Sequence, residues 1–238
     1  MKQRVPRQLP ALILIFAAIA CAHGETTETA PRAASPDLNE KFLAPDLNVG
    51  QWVNTFEVES REVYAARMEV LEATGVKAGS RVADIGAGTG LYTRLFSETV
   101  GSEGWVYAVD ISPGFLEHIN DWAAEETVAN VTAVLGRTDS TTLAPGSIDV
   151  AFVCDTYHHF ETPEAMLASI KSSLAADGTL IVVDFERIPG KTREWLLGHV
   201  RAGKEVFRNE IEASGFTFLE EVKISGFEEN YFIKFRKR

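Results

Sequence analysis

The segment Val82-Ala83-Asp84-Ile85-Gly86-Ala87-Gly88-Thr89-Gly90 decides the fold of this chain. A short apolar run that ends in three closely spaced glycines predicts a β-strand, a tight turn and the start of a helix. Glycines let the backbone approach a ligand closely, and the helix start offers free N–H groups beyond them. We therefore predict a ligand-binding loop with these contacts: Asp84, Gly86, Ala87, Gly88 and Gly90.

The residues around this loop exclude two common phosphate-binding loops. A dinucleotide-binding G-x-G-x-x-G would need its third glycine at position 91, where the chain has Leu91. A P-loop would continue into Gly-Lys-Ser/Thr, which does not follow here. Asp84 stands just before the first glycine, and a carboxylate there favours a ligand with an ammonium or sulfonium group over a pyrophosphate.

A second acid, Asp110, ends the next predicted strand, 20 residues after Gly90 (110 − 90). Ligands of open α/β sheets lie beyond the carboxyl ends of the strands, so this carboxylate can accept hydrogen bonds from both hydroxyls of a ribose. The alternative is a turn or helix N-cap, for which Ser112 is the better candidate. The pattern around Asp84 resembles motif I of the class I S-adenosylmethionine-dependent methyltransferases.

This resemblance covers about residues 50–238 and is strongest to small-molecule methyltransferases of the quinone-biosynthesis type. It implies S-adenosylmethionine as the cofactor. It also implies an α/β fold, with a Rossmann-like, seven-stranded, mostly parallel sheet, an antiparallel last strand and helices on both faces. In the family pattern, Ile111 matches the apolar position that packs on adenine, and Gly136 ends the third strand. The acid that usually follows this glycine is replaced by Arg137, and Asp139 or a backbone carbonyl can take its role.

The alternation of elements agrees with such a sheet. The predicted strands are 81–85, 105–109, 131–135, 148–154, 180–184, 216–224 and 231–235. The predicted helices are 51–74, 90–99, 163–175 and 205–214, with another beginning at Pro113. Near-continuous apolar strands separated by helices indicate a parallel sheet that is covered on both faces.

Ionisable residues follow the fourth predicted strand in the run Cys154-Asp155-Thr156-Tyr157-His158-His159-Phe160-Glu161. Such groups are costly to bury without a purpose. Methyl transfer needs an aligned nucleophile and, where that nucleophile carries a proton, a base such as histidine. We predict catalytic or acceptor-binding roles for Asp155, Tyr157, His158 and His159, with one histidine of the pair structural, and a cofactor contact for Cys154.

The same run allows a second interpretation, a metal site made by two histidines and one carboxylate, Asp155, His158 and His159. Adjacent histidines point apart on most backbones. The sequence therefore predicts no metal site.

Residues 42–75 precede the predicted sheet and form a candidate lid. Its aromatic residues Trp52, Phe56 and Tyr64 are predicted to contact the methyl acceptor, with the alternative that they seat a helix on the sheet. Arg187, after the fifth strand, can contact an anionic acceptor or pair with surface acids. The methyltransferase domain itself is predicted to span residues 76–238.

The first residues indicate export. Residues 1–21 combine a basic start with an apolar stretch too short to span a bilayer, and end in Ala18-Ile19-Ala20-Cys21. This resembles a bacterial lipoprotein signal with Cys21 as a membrane tether, and an ordinary signal peptide is the alternative. Residues 22–41 are rich in Thr, Ala, Pro and Glu, which predicts a flexible linker. We expect a membrane-anchored or periplasmic protein, with a cytoplasmic one as the alternative.

Charge and cysteine usage narrow the function. A net charge of −11 argues against nucleic acid as the main partner, and two cysteines exclude a disulfide framework. We predict methyl transfer to a small molecule, either a small thiol or hydrosulfide, or a phenol or quinol. The alternative is an envelope protein that binds an adenosyl ligand without catalysis.

Overall fold

The computed structural model describes Met1 and residues 33–238. Its strands are β1 (Arg81–Ile85), β2 (Trp105–Asp110), β3 (Val131–Leu135), β4 (Ile148–Cys154), β5 (Leu174–Phe185), β6 (Phe216–Glu221) and β7 (Asn230–Lys237). They form a seven-stranded sheet in the order β3-β2-β1-β4-β5-β7-β6. Strands β1 to β5 are parallel, and β7 is antiparallel to both of its neighbours. The predicted fold class is confirmed.

The helices of the described residues lie around this sheet. They are α1 (Asp37–Glu40), α2 (Val49–Phe56), α3 (Glu62–Ala65), α4 (Arg67–Thr74), α5 (Leu91–Val100), α6 (Pro113–Glu125), α7 (Pro163–Ser173), α8 (Glu194–His199) and α9 (Lys204–Ala213). A 3₁₀ turn, Tyr157–His159, follows β4. None of the helices in the described part of the chain is long and apolar enough to cross a membrane.

The two faces of the sheet carry separate apolar cores, because successive side chains of a strand point to opposite sides. Ala83 of β1 belongs to the larger core, together with Leu167 of α7 and Phe207 of α9. Val82, its neighbour in β1, belongs to a second core that contains Phe96 of α5. Burial on both faces explains why these strands read as continuous apolar runs.

The predicted helix over residues 51–74 is wrong in its extent, since three helices replace it. Asn48 caps α2 by accepting a hydrogen bond from the Gln51 backbone N–H at 3.2 Å. The backbone leaves the helical region at Glu57, whose carboxylate accepts two hydrogen bonds from Arg94 at 2.6 and 2.7 Å. The bend also brings Arg61 to the end of β4, which a continuous helix would not allow.

Part of the predicted flexible linker is folded. The Ala34 backbone N–H donates to the Phe160 carbonyl at 3.1 Å, and Asn39 is 5% exposed. Residues 34–41 therefore belong to the folded part, and the prediction of a linker up to residue 41 is wrong for them. The predicted signal segment and Cys21 lie outside the described residues.

Two further differences concern the second half of the chain. Strand β5 begins at Leu174, before the predicted start at residue 180, because Leu174 pairs with Ile148 of β4. Helix α8 was not predicted, and it ends at His199.

Candidate functional site

The glycine loop has the left-handed backbone that its sequence predicts. The φ angles of Gly86, Gly88 and Gly90 are 73°, 53° and 82°. A Cβ atom at Gly86 would lie 2.3 Å from Thr156 Cγ2, so a side chain cannot be placed there without moving the turn after β4. A Cβ atom at Gly88 would have Phe56 as its nearest side chain, 3.9 Å away, so the backbone of this residue is open to a ligand.

Asp110 is held at the end of β2 by backbone hydrogen bonds. The Gly88 N–H donates to its Oδ2 and the Ser112 N–H to its Oδ1, both at 2.8 Å. Burial raises the pKa of Asp110, and these donors act against the shift. Each carboxylate oxygen keeps a lone pair, so Asp110 can accept further hydrogen bonds from a ligand.

Asp84 is the second buried acid of the site, with 3% exposure. The Thr93 hydroxyl of α5 donates to its Oδ2 at 2.7 Å. Burial raises the pKa of Asp84 to about 7, while the bond from Thr93 opposes the rise. A cation placed beside this carboxylate would favour its ionised form.

A cavity of about 210 Å³ lies over the glycine loop. Most of the predicted site residues line it: Phe56, Asp84, Gly86, Ala87, Gly88, Asp110, Ile111, Gly136, Arg137, Cys154, Asp155 and His159. The Arg137 side chain is 71% exposed and lies 3.3 Å from Asp139, so it points largely to solvent. Gly90 instead packs against Ile119 of α6.

Aromatic residues before the sheet cover this cavity. Phe42 and Phe56 line it, and Phe42 contacts Phe115 of α6 with ring centroids 5.9 Å apart. Trp52 is outside the lining and supports both rings, at centroid distances of 4.9 and 5.1 Å. Phe56 agrees with the lid prediction. Tyr64 does not, because its ring stacks under the Arg67 guanidinium at 4.3 Å and is not part of the lining.

Arg61 and Asp155 form an ion pair in the cavity wall. Asn230 also donates to Asp155, with 2.8 Å between Nδ2 and Oδ1. The guanidinium lies over the rings of Phe56 and Phe185, 5.2 and 5.9 Å from their centroids. Burial raises the pKa of Asp155, and the charge of Arg61 opposes this. Arg61 was not predicted as a site residue, because it lies in a polar segment with no motif.

Three histidines meet beside the cavity. The ring centroids of His158 and His159 are 4.3 Å apart, and His199 lies 5.0 and 5.2 Å from them. The expectation that the adjacent pair points apart is wrong, because the 3₁₀ turn brings both rings to one side. Burial, reinforced by the neighbouring imidazoles, lowers the pKa of His159 to about 2 and that of His199 to about 4. His159 lines the cavity, whereas His158 lies behind it with Nδ1 2.7 Å from Asp184.

Two predicted acceptor contacts are wrong. Tyr157 is fully buried in the core, where its hydroxyl donates to Glu210 at 3.0 Å and its ring packs on Phe207. Arg187 donates to the Leu197 carbonyl at 3.4 Å and is not in the cavity lining.

Comparison with known proteins agrees with this geometry. Residues 82–178 match the family described as "Methyltransferase domain". "Ubiquinone/menaquinone biosynthesis C-methyltransferase UbiE" from Marinomonas sp. is 30% identical over 122 residues, which are 51% of this chain and 49% of that protein. The protein of the same name from Ectopseudomonas mendocina is 32% identical over 121 residues, 50% of this chain and 47% of that one. The chain thus spans about half the length of these curated relatives.

Solved structures share the fold. A "SAM dependent methyltransferase from Aquifex aeolicus" superimposes with a TM-score of 0.64 at 21% identity, over 79% of this chain and 98% of that chain. The "[4+2]-Cyclase SpnF" gives 0.68 at 16% identity, over 87% and 97%. Residues 82–178 thus match a methyltransferase-domain family, and the sheet around them has the fold of the solved structures. The predicted enzyme class and cofactor are confirmed for this part.

The residues present fit S-adenosylmethionine. The ligand is cationic and carries a ribose, and the cavity offers two buried carboxylates with free lone pairs, Asp84 and Asp110. Among the described lining residues, the Arg61 guanidinium is paired with Asp155, and Arg137 points largely to solvent. The lining therefore presents acceptors to the cofactor at the end of the cavity where the glycine loop lies.

Proposed function

We propose that this protein transfers a methyl group from S-adenosylmethionine to a small aromatic acceptor, a phenol or quinol, bound under residues 42–61. The observation that carries this proposal is a single cavity with two unlike ends. We assign the glycine loop, Asp84 and Asp110 to one end, and Phe185 and His159 to the other; all of them line the cavity. When bound, the cofactor supplies an electrophilic methyl group on a sulfonium.

The residues of the first end would hold the cofactor. Asp110 is placed for the ribose, because two backbone N–H groups orient its carboxylate. Asp84 faces the same cavity from β1 and would neutralise the positive charge of the methionine part. Ile111 supplies an apolar contact for the adenine ring. Arg137 leaves the adenine edge to backbone groups or Asp139.

The second end favours an aromatic acceptor over hydrosulfide or a small thiol. Phe42, Phe56 and Phe185 all line the cavity, and planar rings stack well on such surfaces. His159 and Asp155 are among the polar lining residues and are suited to orient a hydroxyl. The lid rings exclude water from the transfer step and fix the acceptor against the donor. The relatives in quinone biosynthesis, named as C-methyltransferases, support this class of acceptor.

A binding experiment and a turnover experiment test the proposal on the full chain. Calorimetry should show binding of S-adenosylmethionine and S-adenosylhomocysteine and none of NAD. Asp110→Asn should abolish this binding, and Asp121→Asn, an exposed acid on α6, is the matched control. Binding of NAD without binding of the sulfonium compound would refute the assignment.

Release of S-adenosylhomocysteine is then measured with panels of phenols, quinols and thiols. We expect turnover with a phenol or quinol. Turnover with thiols alone would overturn the acceptor class. Cofactor binding without turnover on any panel would favour the alternative, a non-catalytic adenosyl-binding protein.

A further inference from the structure

The histidine cluster beside the cavity has the composition of a metal site. His158, His159 and His199 each offer a ring nitrogen, and these three atoms lie within 4.8 Å of one another. The first two come from the turn after β4, and His199 comes 40 residues later (199 − 159) at the end of α8. Separate segments of the chain therefore bring three imidazoles to one point.

Hydrogen bonds orient the His158 ring. Its Nδ1 lies 2.7 Å from Asp184 Oδ1, and the Asp184 carboxylate also accepts the backbone N–H groups of His158 and Phe185, at 3.1 and 2.7 Å. Since a carboxylate accepts, Nδ1 carries a proton, and in a neutral ring Nε2 then has the lone pair. The side chain is 1% exposed, and Nε2 has no hydrogen-bond partner among the described residues. A buried acceptor without a partner costs free energy unless it has a ligand.

Asn39 orients His159 in the same way. Its amide group donates to the His159 carbonyl at 3.2 Å and to the Glu161 carboxylate at 2.8 Å. These two acceptors fix the amide so that Oδ1, 3.1 Å from His159 Nδ1, accepts the ring N–H. His159 therefore also has its proton on Nδ1 and its lone pair on Nε2.

We propose that His158, His159 and His199 bind one divalent d-block cation, with Zn²⁺ as the best match. Three imidazoles with a fourth position open is a known arrangement for catalytic zinc, and each ligand histidine donates its other N–H to a carboxylate or carbonyl group. Asp184 and Asn39 are the corresponding partners here. Zn–N bonds of about 2.0–2.1 Å place the nitrogens of a tetrahedral site about 3.3 Å apart. The three ring nitrogens now lie within 4.8 Å of one another, so they must approach by up to about 1.5 Å. His199, at the end of a short helix and half-buried, is the ring that can move.

The competing interpretation is an apolar layer of stacked rings. His159 contacts Phe42 and His199 contacts Trp195, with centroids 5.8 and 5.9 Å apart. Stacking alone does not explain why the buried Nε2 of His158 has no hydrogen-bond partner among the described residues. It also does not explain why Asp184 and Asn39 both accept from Nδ1 of the neighbouring histidine rings. The metal site accounts for both features.

Because His159 lines the cavity, a cation here would bind the oxygen of the acceptor and favour its deprotonated form. This role rests on the proposed function, whereas the cation site does not. For that reason metal binding is measured without S-adenosylmethionine, and cofactor binding without metal. Failure of one measurement then leaves the other intact.

The test is a titration of the chelator-treated full chain with Co²⁺, followed by Zn²⁺. We expect one Co²⁺ per chain, the visible absorption of tetrahedral Co²⁺ with nitrogen ligands, and displacement by Zn²⁺. His199→Ala should weaken binding by about 100-fold or more, since even loss of an orienting partner costs about 10–100-fold. His118→Ala, a histidine of α6 outside the cluster, is the matched control and should bind as the unaltered chain does.

Asp184→Asn should weaken Co²⁺ binding by about 10–100-fold and change its spectrum, because it acts through His158. Circular dichroism and thermal melting establish that each variant is folded. His199→Ala is the deciding variant, since His199 is only partly buried, whereas His158 is 1% exposed. A folded chain that binds neither metal, equal binding by the His199→Ala and His118→Ala variants, or a sulfur-to-cobalt absorption band would overturn the proposal.

Discussion

The Asp84 carboxyl should couple both stability and cofactor binding to pH. Its ordinary pKa is 3.8, and burial raises it to about 7 in the folded chain. Between these values the folded state holds a proton that the unfolded state has lost. The free energy of unfolding therefore falls as pH rises through this window, by up to about 1.4 kcal/mol per pH unit. Over the whole window, a shift of about 3 units corresponds to about 4 kcal/mol.

Asp84→Asn isolates this contribution, because the amide does not titrate and its oxygen can still accept the bond from Thr93. Relative to the unaltered chain, the variant should gain stability from pH 4 to pH 7 and show a constant difference above that. Urea unfolding of both proteins without cofactor, followed by tryptophan fluorescence between pH 4 and 8, gives the difference directly. Asp121→Asn serves as the exposed-acid control.

The raised pKa of Asp84 also predicts how cofactor affinity depends on pH. A cation beside Asp84 favours the ionised form of the carboxyl. Below pH 7, binding should therefore release a proton, and the affinity should fall about tenfold for each unit by which the pH is lowered. Calorimetry in buffers of different ionisation enthalpy measures this proton release. A stability difference that does not vary with pH, together with binding that releases no proton, would refute the reasoning, since Asp84 would then be ionised throughout.

Three further substitutions test other contacts. Gly86→Ala places a Cβ 2.3 Å from a threonine side chain and should destabilise the fold and abolish cofactor binding. The control is Gly79→Ala, where φ is 80° and nothing lies within 4 Å of the added Cβ. It should lower the free energy of unfolding by about 1–2 kcal/mol and leave binding unchanged. Arg61→Gln removes the ion-pair partner of the buried Asp155 carboxylate and should lower the free energy of unfolding in urea by about 3–5 kcal/mol. Arg137→Gln changes a largely exposed side chain and should lower it little. Equal losses in the two variants would contradict this reasoning. Cys21→Ser should remove any lipid from the mature protein, as mass spectrometry of the membrane fraction would show. A mass change no larger than the exchange of cysteine for serine would exclude the tether.

The cofactor end of the site could be predicted from sequence because its determinants are local. The loop at Gly86 and Gly88 is contiguous, and Asp110 ends the next strand, so strand order alone brings them together. Parallel pairing of β1 with β2 in register, Ile85 beside Val109, produces this arrangement. Neither a distant contact nor a side-chain conformation was needed.

The acceptor end could not be predicted in the same way. Arg61 and Asn39 line it and His199 lies beside it, each from a separate segment, and their partners depend on how those segments pack. Tyr157 was assigned to the site because it stands next to the histidines in sequence. The Tyr157 ring instead packs in the core against Phe207, where Glu210 accepts its hydroxyl.

Asn39 also bears on where the protein can be shortened. A truncation at the predicted start of the lid, residue 42, would keep every strand and the glycine loop. It would also remove Asn39. The side-chain oxygen of this residue accepts the His159 ring N–H, and its NH₂ group donates to the His159 carbonyl and the Glu161 carboxylate. The imidazole would then be free to change tautomer or rotate. A trimmed protein of this kind could bind the cofactor normally and still present an altered surface to the acceptor, so its inactivity would say nothing about the full chain.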